Sequence, residues 1–397
     1  MLDEVNPMVK AINTILIQID PGLQKMTDVL EFLRSQSPEV YVLSFVCFLV
    51  GYWLLPVRVQ RIYAAIGFSF TIILLDWVSF MLLLSSALII YGMTKLKVRT
   101  NAMLIIGLSI LIIPFIAHET ARVITFGSTI YDLVFMTGMS FYTLRLVHYW
   151  WESHKQMLPA HTFLSFYSYV FFLPIFLVGP IYRFEDYMLW YRRKRWDWNN
   201  IYTGVMRISI GFFKIVVLSG YGINEVMNSW GVRVAVDNAF LKFYIPCIEY
   251  GLNIYLQFSG YSDIAIGLGM LLGYKVCENF NFPFIRANIV EFWKCWHMSL
   301  AGWARHYIFL PVITYTKSAQ LAILLSMSMI GVWHGFTINA LLWGLYHGVG
   351  INLYHVYKKS SIRKKLIVEN LFLRRAWYMI SIFITFNYVM LGNFLLY

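Results

Sequence analysis

Residues 318–357 read SAQLAILLSMSMIGVWHGFTINALLWGLYHGVGINLYHVY, a run of 40 positions without Asp, Glu, Lys or Arg. A stretch of that length is too long for one buried helix and long enough for two membrane crossings of about 20 residues each. The two crossings are expected to join near Gly331 to Asn339, where glycine and polar residues interrupt the apolar pattern. Working outward, the same texture recurs. Val40–Val57, Ile62–Leu75, Trp77–Thr94, Thr100–Ala117, Ile201–Gly220 and Ala376–Tyr397 are further apolar runs. Val123–Trp151 and Phe243–Tyr274 hold additional spans interrupted by Asp132, Arg145, Glu249 and Asp263.

Only 13% of the 397 residues are charged while 59% are hydrophobic, against roughly 25% charged in ordinary soluble domains. The expected architecture is therefore an all-α polytopic integral membrane protein of about ten to eleven spans. The net charge of +12 does not point to nucleic acid, because the basic residues lie in short clusters between apolar runs. Arg58 with Arg61, Lys95 with Arg99, Arg192–Arg195 and Lys358–Arg375 mark the cytoplasmic ends of spans. Residues 1–39 mix charge with short apolar patches; they lack the pattern of a signal peptide and read as an interfacial or external segment, with 40–397 as the membrane domain. The four cysteines are scattered and suggest neither a disulfide framework nor a zinc site.

Gln156–Tyr182 carries Pro174, Gly179 and Pro180 and reads as a kinked or re-entrant piece. The segment 275–305 is too polar for a lipid-facing span and reads as helices buried in protein or lying at the interface. Ionisable groups at membrane depth are expensive unless they are paired, wet or functional. His334, between Trp333 and Gly335 in an apolar run, is the first candidate general base, since a neutral imidazole takes a proton from a hydroxyl. The local pattern alone also fits a core histidine bonded to a backbone carbonyl. His297, crowded by Trp293, Trp296 and Trp303, is the second candidate. Whether the two converge is not readable from their spacing. Asp263 needs a partner, either a basic residue of 286–305 or a histidine that it orients. No His-Glu-x-x-His, Walker loop or Gly-x-Ser-x-Gly is present. Gly267 and Gly269 read as helix packing.

Six stretches together resemble the membrane-bound O-acyltransferase (MBOAT) family in its bacterial branch. They are Gly138-Met-Ser-Phe-Tyr-Thr143, Gly179-Pro-Ile-Tyr-Arg183, Gln257-Phe-Ser-Gly-Tyr-Ser-Asp263, Asn279-Phe-Asn-Phe-Pro-Phe284, Glu291-Phe-Trp with Trp296-His-Met-Ser-Leu300, and Gly331-Val-Trp-His-Gly335 with Trp343-Gly-Leu-Tyr-His-Gly348. Tyr52-Trp-Leu-Leu-Pro-Val-Arg58 looks like alginate-type polysaccharide O-acetyltransferases; Met298 and Ile384–Val389 look more like teichoic-acid D-alanyltransferases. Cys295, Ala301 and His306 depart from the residues common at those places in both.

The resemblance implies helices around a central tunnel in the cell (cytoplasmic or inner) membrane. It implies a short acyl group, acetyl or D-alanyl, delivered from a cytoplasmic-side thioester to a hydroxyl of an extracytoplasmic envelope polymer. It implies no tightly bound cofactor and no metal. The donor would be a phosphopantetheine thioester, acyl-CoA or acyl carrier protein, and the acceptor is met directly or through a partner acyltransferase. The family's two histidines map onto His334, as base, and His297. Trp296, Ser299, Arg305, Asp263, Asn279, Trp333 and His347 are the expected substrate-binding residues. The buried acids leave a transporter or flippase as the alternative.

Overall fold

The computed structural model describes residues 38–96, 99–125, 138–193, 195–226, 238–360 and 371–396. The 1–39 segment, Asp132, Lys194 and the 361–370 part of the last basic cluster fall essentially outside them. Every regular element among the described residues is helical. They group into two compact units.

The first unit comprises the described residues up to Leu177 with those of Tyr182–Trp198 and Leu271–Tyr274. Its helices are α1 (Pro38–Leu54), α2 (Val57–Leu75), α3 (Trp77–Lys95), α4 (Asn101–Thr125), α5 (Met139–His154), α6 (Phe163–Val170) and α7 (Phe184–Arg193). Asp76 is a hinge rather than a buried charge. It ends α2 and caps α3, its carboxylate accepting from Val78 N at 3.0 Å and Ser79 N at 3.1 Å. Thr162 and Ser165 form a reciprocal capping box at the start of α6. That helix is only 8 residues long, and Pro174 shortly past its end bars continuation, as the breaker-rich sequence predicts. Buried Arg145 donates to the Val170 carbonyl at 2.9 Å and to that of Tyr169. A cation there complements the C-terminal end of α6. The core is aromatic: Tyr149, Trp150, Phe166, Tyr169, Phe171, Phe176 and Phe184 are fully buried.

The second unit comprises Val178–Ile181, Asn199–Met270 and Lys275–Tyr397. It holds α8 (Trp198–Phe212), which runs on as a π-helix over Phe213–Ile223, and α9 (Ala239–Leu271). Then come the short α10 (Ile289–Trp293), α11 (Met298–Ala304) and α12 (Leu310–Thr316), and the long α13 (Ala319–His334), α14 (Ile338–Lys359) and α15 (Leu371–Gly392). The break between α13 and α14 falls at residues 335–337, inside the expected Gly331–Asn339 window, with Thr337 capping α14 through Ala340 N at 3.2 Å. At Gly331 any side chain would overlap the Ala340 carbonyl oxygen, and at Gly344 that of Met327. The two helices therefore touch backbone to backbone.

Among the described residues, five helices are long and apolar enough to cross a membrane: Val57–Leu75, Trp77–Lys95, Asn101–Thr120, Trp198–Ile223 and Phe372–Leu395. Leu43–Leu54, Phe163–Ile175 and Ala319–His334 are shorter apolar helices. Other segments counted from the sequence are shorter, less apolar, like α14 with its Asn, His and Tyr residues, or, like α9 with Lys242, Glu249 and Asp263, carry charges inside the apolar run. Segment 275–305 is short helices and loops, as its polarity demands.

Candidate functional site

Asn279 is where the site begins. Its side chain is fully buried, and both its oxygen and its nitrogen bond to protein. The amide nitrogen donates to Ser262 Oγ of α9 at 3.2 Å. The carbonyl oxygen Oδ1 accepts from His297 Nδ1 at 3.0 Å, Ser299 Oγ at 2.8 Å and Ser299 N at 3.3 Å. Because the backbone N–H of Ser299 can only donate, the amide atom it meets is Oδ1, which also accepts from the imidazole and fixes the proton on Nδ1. His297 Nε2 is then a bare lone pair, and it has no partner among the described residues. His297 is also held at φ 43°, ψ 53°, a left-handed conformation costly for a residue with a Cβ. That strain turns the chain sharply into α11 and is stabilised by the Asn279 bonds and by Met298 N donating to the Asn279 carbonyl at 2.9 Å. Ser299 Oγ also accepts from Ile181 N at 2.9 Å, tying the 178–181 segment to this hub.

His334, the last residue of α13, stands with its ring centroid 6.4 Å from that of His297. The convergence left open by the sequence is thus present. The two rings differ in setting. His297 is 1% exposed, packed against Phe258 at 4.6 Å and Trp333 at 5.8 Å. His334 opens onto a cavity of about 400 Å³. Trp293, Trp296, Trp343, His347, Tyr250 and Asn339 contribute to the same wall. The imidazoles of His334 and His347 flank Trp343, at centroid distances of 5.4 and 4.8 Å. Orphaned polar atoms cluster here: His347 Nδ1 and the indole N–H of Trp293 and Trp343 have no partner among the described residues. Buried donors without acceptors are uncommon and call for a reason such as a ligand.

The expected substrate-binding residues separate into groups. Trp296, Trp333 and His347 lie with the two histidines. Asn279 and Ser299 position His297 from behind. Asp263, 4% exposed, neither orients a histidine nor pairs with the 286–305 segment. Its carboxylate binds Arg207 at 2.8 Å and Lys214 at 2.6 Å, both from α8 and its π continuation, and Arg207 reaches on to Glu278. The sequence favoured the nearer basic residues; helix packing chose partners about fifty positions upstream. Arg305 lines a second cavity of about 400 Å³, with Lys294, His355, Met298 and Ile330. Trp293 and Trp343 were missed as site residues. The available signal was their spacing: each lies four residues before a candidate histidine, His297 and His347.

Residues 62–392 match the profile of the MBOAT, membrane-bound O-acyltransferase, family. The chain belongs to that family. Its members include relatives of known name. A teichoic acid D-alanyltransferase of Bacillus subtilis is 30% identical over 304 residues, covering 71% of this chain and 72% of that protein. A probable alginate O-acetylase of Pseudomonas aeruginosa is 30% identical over 216 residues, 53% of this chain and 41% of that protein. A peptidoglycan O-acetyltransferase of Helicobacter pylori is 26% identical over 293 residues, 66% of this chain and 53% of that protein. The chain thus spans about half or less of the two O-acetyl-transferring relatives. As an MBOAT protein it is a multi-pass membrane O-acyltransferase, and the paired histidines sit within the matched region.

Proposed function

We propose that this MBOAT protein moves an acetyl or D-alanyl group from a phosphopantetheine thioester, on acyl-CoA or acyl carrier protein at the cytoplasmic face of the inner membrane, to a hydroxyl of an extracytoplasmic envelope polymer. The acceptor is met directly or through a partner acyltransferase. The observation that carries the reading is His334, open to the cavity and 6.4 Å from the oriented ring of His297. His334 takes the hydroxyl proton as the acceptor oxygen attacks the thioester carbonyl. The new C–O bond forms, the C–S bond breaks, and the proton leaves with the thiol. A thioester is already activated, so orientation and proton removal suffice, and these supply many orders of magnitude. His297, with its free Nε2, is the partner that positions His334 or the substrate. Support for the substrate class comes from the names of the relatives.

The transporter alternative rested on buried acids. Asp76 caps a helix and Asp263 is neutralised by two cations, so both have structural employment. The deciding experiment is mass spectrometry of envelope polymers from cells carrying the wild-type chain or His334→Ala at equal membrane levels. Loss of acetyl or D-alanyl mass with the variant is expected, and which of the two is lost names the donor group. Unchanged polymers would remove the acyl-transfer role of His334.

A further inference from the structure

The two cavities are consecutive along one helical hairpin. On α13, Ile323, Met327 and Ile330 line the second cavity, and His334, one turn further on, lines the first. On the antiparallel α14 the order reverses: Ala340, Trp343 and His347 line the first, then Ile351 and His355 the second. Spacings of three and four residues put each set on a single helix face. Both cavities therefore follow the same groove of the hairpin. Its floor is continuous, because α13 and α14 meet backbone to backbone at Gly331 and Gly344.

One side chain divides this groove. Trp293, at the end of α10, lines both cavities, and the two linings share no other described residue. It is 7% exposed. Its ring is set edge-on against His347 at 5.2 Å, Trp343 at 5.8 Å and Phe292 at 5.8 Å. No hydrogen bond holds its indole nitrogen. The plug is thus held by packing alone and lacks the polar anchor that a buried indole usually finds. The far cavity is also lined by Lys294, Arg305 and His355, all three exposed, and Lys294 is paired with Glu291 at 2.8 Å. Two nitrogen groups without that partner, the Arg305 guanidinium and the His355 imidazole, on an otherwise apolar slot suit a slender arm that ends in phosphate.

We infer that Trp293 is a size filter on the path from the second cavity to His334, admitting a thin thioester arm with a short acyl group and rejecting longer ones. The inference rests on the acyl-transfer reading. With the thioester carbonyl at His334, the acyl tail occupies the cavity that the indole also lines, so each added methylene competes with the Trp293 ring for the same space. Removing the indole joins two spaces of about 400 Å³ each. Discrimination by one methylene in an apolar pocket runs at roughly 10- to 200-fold.

The test uses native membranes, which hold the acceptor, containing wild-type protein, Trp293→Ala, Trp293→Phe or His334→Ala. Acetyl, D-alanyl, butyryl and hexanoyl thioesters of phosphopantetheine are supplied in turn, and polymer-bound acyl groups are released by mild base and counted by mass spectrometry. His334→Ala sets the background. The expected result is a hexanoyl-to-acetyl ratio at least about tenfold higher in Trp293→Ala. Trp293→Phe, which keeps a flat ring and removes the N–H, should stay within about threefold of wild type. A wild-type ratio in Trp293→Ala overturns the filter. So does a shift in Trp293→Phe larger than that in Trp293→Ala, because the filter requires the ratio to rise with the volume removed. Should Trp293→Ala be absent from the membrane, Trp293→Leu replaces it under the same criteria. Wild-type membranes no better than His334→Ala with every donor would instead sink the acyl-transfer reading and the filter with it.

Discussion

Replacing Asn279 with alanine tests how the site is held together. The side chain makes four hydrogen bonds, to Ser262, to His297 and twice to Ser299, from a fully buried position. A net contribution of roughly 1 kcal/mol per bond, with an extra cost for each donor left unpaired, puts the loss at about 3–5 kcal/mol. The loss is not spread evenly. His297 Nδ1–H and the αL turn at His297 depend directly on this amide, so ring orientation suffers most. A catalytic ring displaced by about 1 Å costs on the order of a hundredfold in rate. The assay is paired: thermal unfolding of detergent-purified protein followed by tryptophan fluorescence, and acyl transfer per folded molecule in native membranes. A lowered Tm is expected together with about a hundredfold lower kcat and a little-changed KM. If Asn279→Ala keeps wild-type Tm, or keeps kcat within about twofold in the folded fraction, Asn279 does not orient His297.

Three further perturbations probe other links. Asp263→Asn removes the shared carboxylate of Arg207 and Lys214; both cations are about a quarter exposed, so the cost should be about 2 kcal/mol rather than the 3–5 of a fully buried pair. Its kcat per folded molecule should remain within about threefold, and a collapse of kcat at unchanged Tm would contradict the separation of this network from the histidines. Gly331→Ala drives a methyl into the Ala340 carbonyl and should lose about 1–3 kcal/mol, visible as a lower Tm and weaker membrane accumulation; an unaltered Tm would mean that α13 and α14 are not in backbone contact. Lys317, exposed and at φ 57° just beyond α12, is a left-handed terminator that glycine occupies more readily, so Lys317→Gly should stabilise by about 0.5–1 kcal/mol, and a fall in Tm would refute the assignment.

Residue order and composition determine more here than in a soluble protein. Lipid leaves a chain few options, because every backbone donor and acceptor must be satisfied internally. An uninterrupted run such as 318–357 therefore dictates two helices, and the polar 275–305 segment dictates protein burial. The break at 335–337 was readable for the same reason, since glycine, threonine and asparagine interrupt the run there. His297 and His334 were legible as unusual residues in costly places. Their 6.4 Å approach was not, because it depends on where α11 and α13 are packed relative to each other, and 37 positions of chain carry no angle. The partners of Asp263 were misplaced for a related reason: local basic residues looked available, while two helices crossing at small residues brought Arg207 and Lys214 closer. Asn279 appears in sequence as one polar residue among aromatics, and only the fold reveals that its amide fixes the tautomer of His297. Trp293 looked like one aromatic of many; its place between two cavities comes from the hairpin of α13 and α14. Hydrophobic pattern is a one-dimensional property and survives in the sequence, whereas hydrogen-bond convergence and cavity walls are products of side chains from distant segments meeting in three dimensions.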